Sequence, residues 1–258
     1  MNVPPRAPRR RPRDVTPDEL AELIRPHLTN GLIAFDVDGV LAPLVGHADD
    51  ARLSPDVHDL LSSLAARSTV GIVSGRALES LERLFGFPAD IHVYGSHGLE
   101  ERGVPASPLD DDEQYTFEQL ETIASRGADA AGEGAWLEYK PASVVLHTRE
   151  ADADRAAPVV EAVANLAGMI DGAQVTPGSG VVELLARTAS KGAALRTLGE
   201  RVGRTPIIYL GDDITDEHAF AEMSDADLSV RVGPGESTAR YRLTDPTAVV
   251  ELLRALTT

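Results

Sequence analysis

The feature that most limits the fold is a set of short apolar segments that end in small or acidic residues. Residues 32–35 are followed by an aspartate, 69–73 by Ser-Gly-Arg, and 206–210 by Gly-Asp-Asp. Continuous apolar runs of this length are typical of strands that are buried on both faces of a parallel sheet. Because helix-forming stretches lie between them, we predict an α/β fold with a doubly wound, Rossmann-like parallel sheet.

The pattern changes between residues 107 and 186. A long helix is followed there by two strands with a turn at 141–142, a helix at 153–167 and two more short strands. This order predicts a small α+β cap domain inserted into the core. We therefore expect a core at 16–106 and 187–258, a cap at 107–186, and a disordered basic tail at 1–15. The tail contains five arginines, which are Arg6, Arg9, Arg10, Arg11 and Arg13.

Charge and composition limit the partners. The 258 residues carry a formal charge of −17, and such an acidic chain repels nucleic-acid phosphates, so we expect no nucleic-acid partner. No apolar run approaches the ~18 residues that a membrane helix needs, so no membrane partner is expected. Cysteine is absent, which excludes disulfides, thiolate catalysis and cysteine-ligated zinc. The lack of a secretory signal favours the cytoplasm, and we expect a monomer.

Acidic residues follow two of the predicted strands, at the strand ends where sites form in parallel sheets. Asp36 and Asp38 come directly after 32–35, and Asp212 and Asp213 follow 206–210, with Asp216 shortly after. Paired carboxylates are costly at a buried strand end unless a cation neutralises them, and a divalent cation prefers such oxygen ligands. The alternatives are an aspartate-rich turn for the first pair and helix capping for part of the second group.

Two further segments offer groups that suit a phosphate. Ser74 and Arg76 supply a hydroxyl and a guanidinium after 69–73, and Lys191, one of two lysines, begins a predicted helix. Each pattern is weak alone, since Ser74 also suits a helix N-cap and lysines are usually surface residues. Together the segments fit one mechanism, in which Asp36 attacks phosphorus and Asp38 transfers the protons. Ser74 and Lys191 would then hold the phosphoryl group.

The order Asp-x-Asp-Gly, strand-end Ser, Lys and Gly-Asp-Asp resembles the four motifs of the haloacid dehalogenase-like phosphatases, over nearly the whole chain. Finer segments resemble trehalose-6-phosphate phosphatases; they are residues 94–100, 137–140, 147–149, 182–184 and 211–217. The resemblance implies Asp36 as nucleophile and Asp38 as acid and base. It also implies Mg²⁺, held by Asp36, Asp212 and the backbone carbonyl of Asp38. One departure is Val40, where the family motif usually has threonine.

The resemblance also implies a set of substrate-binding residues, which are Arg76, His97, Glu138, Lys140 and Glu183. Carboxylates accept hydrogen bonds from sugar hydroxyls and a lysine donates them, so the last three suit a disaccharide. An ion pair between Glu138 and Lys140 on the surface and a core histidine at His97 are the alternatives. The implied activity is Mg²⁺-dependent hydrolysis of the sugar phosphate trehalose 6-phosphate through an aspartyl-phosphate.

Two other functions stay open. A phosphatase acting on sucrose phosphate or a mannosyl phosphoglycerate would use the same core, because only the cap residues separate these substrates. A phospho-acceptor signalling module also uses an aspartate, an acidic metal site and a lysine. Such modules are much shorter, however, and lack both the cap and a second acid like Asp38.

Overall fold

The structure, a computed structural model, describes residues 11–258. The chain divides into two compact units. We call the first the core unit; it comprises the described residues up to Val104 together with Ser190–Thr258. The second, the cap unit, is Pro105–Ala189. The sequence pattern puts these boundaries after residues 106 and 186.

Strands and helices alternate along most of the chain. The strands are β1 (Arg13–Asp14), β2 (Leu32–Phe35), β3 (Thr69–Val73), β4 (His92–Gly95), β5 (Glu100–Glu101), β6 (Trp136–Lys140), β7 (Ser143–His147), β8 (Gln174–Gly178), β9 (Val181–Leu185), β10 (Ile207–Gly211), β11 (Leu228–Val232) and β12 (Tyr241–Leu243). The helices are α1 (Pro17–Ile24), α2 (Val57–Ala65), α3 (Leu78–Leu84), α4 (Asp111–Ala131), α5 (Ala153–Ala167), α6 (Lys191–Val202), α7 (Ile214–Glu222) and α8 (Pro246–Thr257).

The core unit contains an eight-stranded sheet in the order β1-β12-β11-β10-β2-β3-β4-β5. Neighbouring strands are parallel except for β5, which pairs antiparallel with β4. The predicted α/β class and doubly wound parallel sheet are therefore confirmed. Strands β10, β2 and β3 lie side by side at the centre, although β10 follows the cap in sequence.

Strand β2 is buried from both sides, which explains why all four of its residues are apolar. Ile33 and Phe35 belong to a core cluster that also includes the buried residues of α1, α2 and α8. Leu32 and Ala34 belong to a second cluster with residues of α6 and α7. Helix layers on both faces thus fix the central strands and the residues that follow them.

The cap unit contains an antiparallel sheet in the order β6-β7-β9-β8. Its apolar cluster joins residues of β7 and β9 to helices α4 and α5, for example Leu146 and Leu184 with Leu120. Helix α4 begins with a capping box, in which Asp110 and Glu113 each accept a hydrogen bond from the other's backbone N–H. The predicted α+β character of this segment is therefore confirmed.

The basic tail differs in part from the expectation of disorder through residue 15. Residues 1–10 lie outside the described residues, but Arg13–Asp14 forms β1. The backbone N–H of Arg13 donates to Arg240 and that of Val15 donates to Arg242, at 2.9 and 3.0 Å. The edge of β12 thus supplies hydrogen-bond partners, and Val15 is buried. No helix within 11–258 is long and apolar enough to cross a membrane.

Candidate active site

The carboxyl ends of three adjacent strands bring predicted catalytic residues together. Strands β10, β2 and β3 are followed by Asp212, Asp36 and Ser74. The backbone N–H of Asp36 donates to the carbonyl of Leu210 at 2.9 Å, which fixes the residue to the neighbouring strand. Gly39 has a φ of +74°, and a Cβ at this position would lie 2.1 Å from Asp212 Oδ2. Glycine therefore lets the loop after β2 turn against the second carboxylate.

A buried ammonium lies beside the predicted nucleophile. Lys191 Nζ donates to Asp36 Oδ2 and to Asp216 Oδ1, both at 2.8 Å. Lys191 is the first residue of α6, and the side chain of the N-cap residue Ser190 accepts from Ala193. Burial alone lowers the pKa of Lys191, but the carboxylates of Asp216 and Asp36 reverse this and raise it. Lys191 is therefore a permanent positive charge at this site.

The carboxylate of Asp216 accepts hydrogen bonds from several groups of the site. Besides Lys191, its carboxylate accepts from the hydroxyl of Tyr209 at 2.6 Å and from the backbone N–H groups of Asp212 and Asp213 at 2.8 and 3.1 Å. Asp216 and Tyr209 are both fully buried. The acidic motif after β10 indicates Asp216 only as an additional metal ligand, and no motif in the sequence indicates Tyr209. The signal for Tyr209 is a single polar aromatic in the otherwise aliphatic strand β10.

The carboxylates fit a divalent cation. Oxygen atoms of Asp36, Asp212 and Asp216 lie within 4.8 Å of one another. These three acids face one ammonium, so the pocket lacks positive charge, which is costly in a buried place. Burial raises the pKa of Asp36 well above its usual range, and Lys191 opposes this. Burial, with the carboxylates of Asp216 and Asp213, raises the pKa of Asp212 to about 7.

The hydrogen bonds that these carboxylates already accept also indicate which side chains would contact the cation. Asp216 already accepts four hydrogen bonds through its two oxygens. This leaves Asp36 and Asp212 as the candidate side-chain ligands, and hard carboxylate oxygens are what Mg²⁺ prefers. A contribution from the carbonyl of Asp38 stays a prediction.

Arg76 holds the predicted acid and base in place. Its Nε donates to Asp38 Oδ2 at 2.6 Å and its Nη2 donates to Asp38 Oδ1 at 2.7 Å. This bidentate geometry fixes the orientation of the Asp38 carboxylate. The backbone N–H of Arg76 also donates to Ser74 Oγ at 3.3 Å. The structure thus places Arg76 on Asp38, while its expected contact with substrate stays a prediction.

His97 lies next to the segment that begins with Ser74. Its backbone N–H donates to the carbonyl of Ser74 at 2.9 Å. A Cβ at Gly75 would lie 2.6 Å from His97 Cε1, so the imidazole packs directly on this glycine. Val40, the departure from the family motif, is buried in the apolar core. The seven predicted residues of the core unit are thus placed around one end of the central strands.

The three predicted sugar-binding residues lie on neighbouring strands of the cap unit. Glu138 on β6 and Glu183 on β9 are both opposite Val145 on β7. Lys140 Nζ donates to Glu183 Oε1 at 3.1 Å, and the Ser143 hydroxyl donates to the same oxygen at 2.7 Å. The pair of Lys140 and Glu183 is buried, which is unusual for an ion pair without a further role.

Glu138 has its own partner. His147 Nε2 lies 2.9 Å from Glu138 Oε2. This hydrogen bond is the main reason that the pKa of Glu138 is lowered; burial opposes it, and Lys140 adds to it. Glu138 is therefore an ionised hydrogen-bond acceptor at neutral pH.

Comparison with known proteins agrees with this geometry. The family model described as Trehalose-phosphatase matches residues 34–247. The trehalose-phosphate phosphatase of Mycobacterium marinum is 32% identical over 262 residues, which cover 91% of this chain and 64% of that protein. That of Mycobacterium avium is 37% identical over 198 residues, which cover 73% of this chain and 50% of that protein. The chain therefore spans between half and two-thirds of the length of these curated relatives.

The fold has a close counterpart among solved structures. The C-terminal domain of C. albicans trehalose-6-phosphate phosphatase superposes with a TM-score of 0.79 at 22% sequence identity, covering 97% of this chain and 99% of that chain. The family match spans both the strand-end carboxylates of the core unit and the polar residues of the cap unit. This chain therefore belongs to the trehalose-phosphatase family.

Proposed function

We propose that the chain is a phosphatase that hydrolyses trehalose 6-phosphate to trehalose and phosphate, with Mg²⁺ as its cofactor. The observation that carries this proposal is the buried contact of Lys191 with Asp36, beside Asp212, in a chain of the trehalose-phosphatase family. A nucleophilic carboxylate needs a neighbouring positive charge to approach a phosphate dianion.

In the first step, a carboxylate oxygen of Asp36 attacks phosphorus, and the bond from phosphorus to the sugar oxygen breaks. Asp38 gives a proton to the leaving oxygen, and the phosphoryl group stays on Asp36. In the second step, Asp38 takes a proton from a water molecule that attacks phosphorus, which releases phosphate and restores Asp36. Arg76 holds the Asp38 carboxylate in one orientation when Asp38 is ionised, and one of the two hydrogen bonds gives way when Asp38 carries the proton.

In this proposal, both the chain and the cofactor supply groups that stabilise the negative charge of the phosphoryl group. The ammonium of Lys191 and the hydroxyl of Ser74 face the transferring group in this proposal. Mg²⁺ held by Asp36, Asp212 and the Asp38 carbonyl would supply further positive charge against the phosphate oxygens.

We assign the sugar to the polar residues of the cap unit. Glu138 is ionised and accepts hydrogen bonds, while Lys140 and Glu183 form a buried pair that offers both donors and acceptors. A site of this kind discriminates strongly against sugars that leave its polar groups unpaired. A phosphatase of sucrose phosphate or a mannosyl phosphoglycerate is the alternative, and the family match favours trehalose 6-phosphate.

A substrate panel tests this proposal. Phosphate release is measured from trehalose 6-phosphate, sucrose 6-phosphate and glucose 6-phosphate, each with Mg²⁺ and with EDTA. We expect Mg²⁺-dependent release with a strong preference for trehalose 6-phosphate. Turnover of another sugar phosphate alone would overturn the substrate assignment, and turnover that EDTA leaves unchanged would overturn the cofactor assignment.

The covalent step is tested separately by trapping. Rapid denaturation during turnover, followed by borohydride, should convert an aspartyl-phosphate at Asp36 into homoserine, which peptide mass spectrometry detects. A long-lived adduct that accumulates without phosphate release would instead favour the phospho-acceptor signalling module. The monomeric state, the cytoplasmic location and the absence of nucleic-acid and membrane partners remain predictions.

A further inference from the structure

The first residue of β6, Trp136, forms an aromatic stack with a residue of the neighbouring strand. The rings of Trp136 and His147 have their centroids 3.9 Å apart and are inclined by only 4°. The two residues are directly opposite each other on β6 and β7. Side chains that face each other across antiparallel strands pack in this way. The histidine therefore lies flat against one face of the indole.

Trp136 remains exposed to solvent despite this stack. Trp136 keeps 49% of its surface exposed although His147 stacks on one face of its ring, which leaves the opposite face as the surface available for contact. Large aromatic side chains normally bury much more of their surface, so a half-open tryptophan on a sheet face is a feature that requires an explanation.

The stack is continuous with the polar residues assigned to the sugar. Side chains alternate along a strand, so Trp136, Glu138 and Lys140 share one face of β6, while Leu137 and Tyr139 are on the other. His147 joins the two groups, because it stacks on Trp136 and also bonds Glu138 at 2.9 Å. An open aromatic face thus adjoins an ionised carboxylate that is held in place.

We propose that the open face of Trp136 is a stacking subsite for a pyranose ring of the substrate, with Glu138 accepting hydrogen bonds from the hydroxyls of the same ring. A pyranose has a flat face of C–H groups and a rim of hydroxyls. The indole can stack on the face of C–H groups, and the carboxylate can accept hydrogen bonds from the hydroxyls. This inference rests on the proposed function and extends it, since it assigns a specificity-determining residue.

The chain offers a direct probe of this subsite, because Trp136 is its single tryptophan. Acrylamide quenching of tryptophan fluorescence reports the exposure of that one ring. We expect that trehalose protects the fluorescence from acrylamide, and that sorbitol, which has hydroxyls but no ring, does not. Quenching that trehalose leaves unchanged would overturn the stacking subsite. The measurement needs no turnover, so it decides the subsite even if trehalose 6-phosphate is not hydrolysed.

Variants supply the second test. Trp136→Ala should raise KM for trehalose 6-phosphate by about tenfold, the effect of losing one good aromatic contact of about 1.4 kcal/mol. Trp136→Phe should restore part of that loss. Tyr139→Ala is the matched control, because Tyr139 is an equally open aromatic, 54% exposed, on the opposite face of the same strand. Equal KM values for the alanine variants at 136 and 139 would overturn the proposal.

Folding of the cap unit is checked in the same preparations. Trp136→Ala removes a cross-strand contact as well as the open ring face, so its thermal midpoint is compared with that of Trp136→Phe. If Trp136 only stabilises the hairpin of β6 and β7, the thermal midpoint of Trp136→Ala falls while its KM stays at the parent value. This outcome also overturns the proposal.

Discussion

Removing the hydroxyl of Tyr209 tests whether Asp216 depends on its surroundings to organise the site. The hydroxyl lies 2.6 Å from Asp216 Oδ1, and the ring is fully buried. Tyr209→Phe keeps the ring and deletes one donor. The carboxylate would retain its bonds from Lys191 and from the backbone N–H groups of Asp212 and Asp213.

The size of the effect follows from the charge of the acceptor. A hydrogen bond to a charged group contributes about 1.5–3 kcal/mol, more than a bond between neutral groups. Because three other donors stay in place, we expect a loss of about 2 kcal/mol in the free energy of unfolding, at the lower part of that range. For a chain of this size this corresponds to a fall of about 4–8 °C in the thermal midpoint.

The measurement combines urea unfolding with hydrogen exchange. Unfolding gives the free energy, and exchange in the segment 211–216 reports whether the amides that donate to Asp216 open more often. Tyr241→Phe is the control, because the Tyr241 hydroxyl has no hydrogen bond within the described residues. A loss below about 0.5 kcal/mol for Tyr209→Phe, or an equal loss for the control, would refute the reasoning, since surface changes alone reach that size.

Three further outcomes are expected. Asp36→Asn should abolish phosphate release, since the amide cannot attack phosphorus, while the circular dichroism spectrum stays that of the parent; substantial residual turnover would contradict the covalent mechanism. Burial and its acidic neighbours raise the pKa of Asp212 to about 7, so Mg²⁺ binding as proposed would have to displace a proton at lower pH. Calorimetry should show affinity falling by at least about tenfold per pH unit below 7, and a flat profile from pH 5.5 to 7 would contradict this. In the cap unit, the hydrogen bond from Arg187 lowers the pKa of Glu113 to about 2. Glu113 therefore stabilises the folded chain above pH 4.5 and loses this effect as the pH falls towards 2. Glu113→Gln should cost about 1 kcal/mol at pH 7, after discounting for solvent screening, and almost nothing at pH 2. An equal cost in urea unfolding at both pH values would argue against the ion pair.

Local sequence patterns predict the central elements well. The apolar runs at β2 and β3 predict both strands with their observed bounds, because helices cover both faces of the sheet and leave the central positions of these strands to apolar residues. Helix α5 is also predicted with its observed bounds. The region after residue 213 is different. No helix or strand is predicted there from the sequence, although α7, β11, β12 and α8 complete the core unit.

The edges of the sheet show why prediction fails where it does. Strand β1 has two residues in an arginine-rich segment, and composition alone predicts disorder there. It exists because β12 offers unpaired backbone groups and because Val15 is buried. The first condition comes from residues more than two hundred positions away, which no local pattern can report.

Local sequence is enough to predict that acidic residues and candidate phosphate-binding residues follow buried parallel strands, since the alternation of apolar runs and helices fixes the direction of each strand and the end at which its polar residues emerge. The pairing of individual side chains depends on the tertiary structure. Lys191 contacts Asp36 across 155 positions, and Arg76 takes Asp38 as its partner. These contacts depend on sheet order, strand register and the packing of helices, which are set by the free energy of the whole core and not by the residues nearby in sequence.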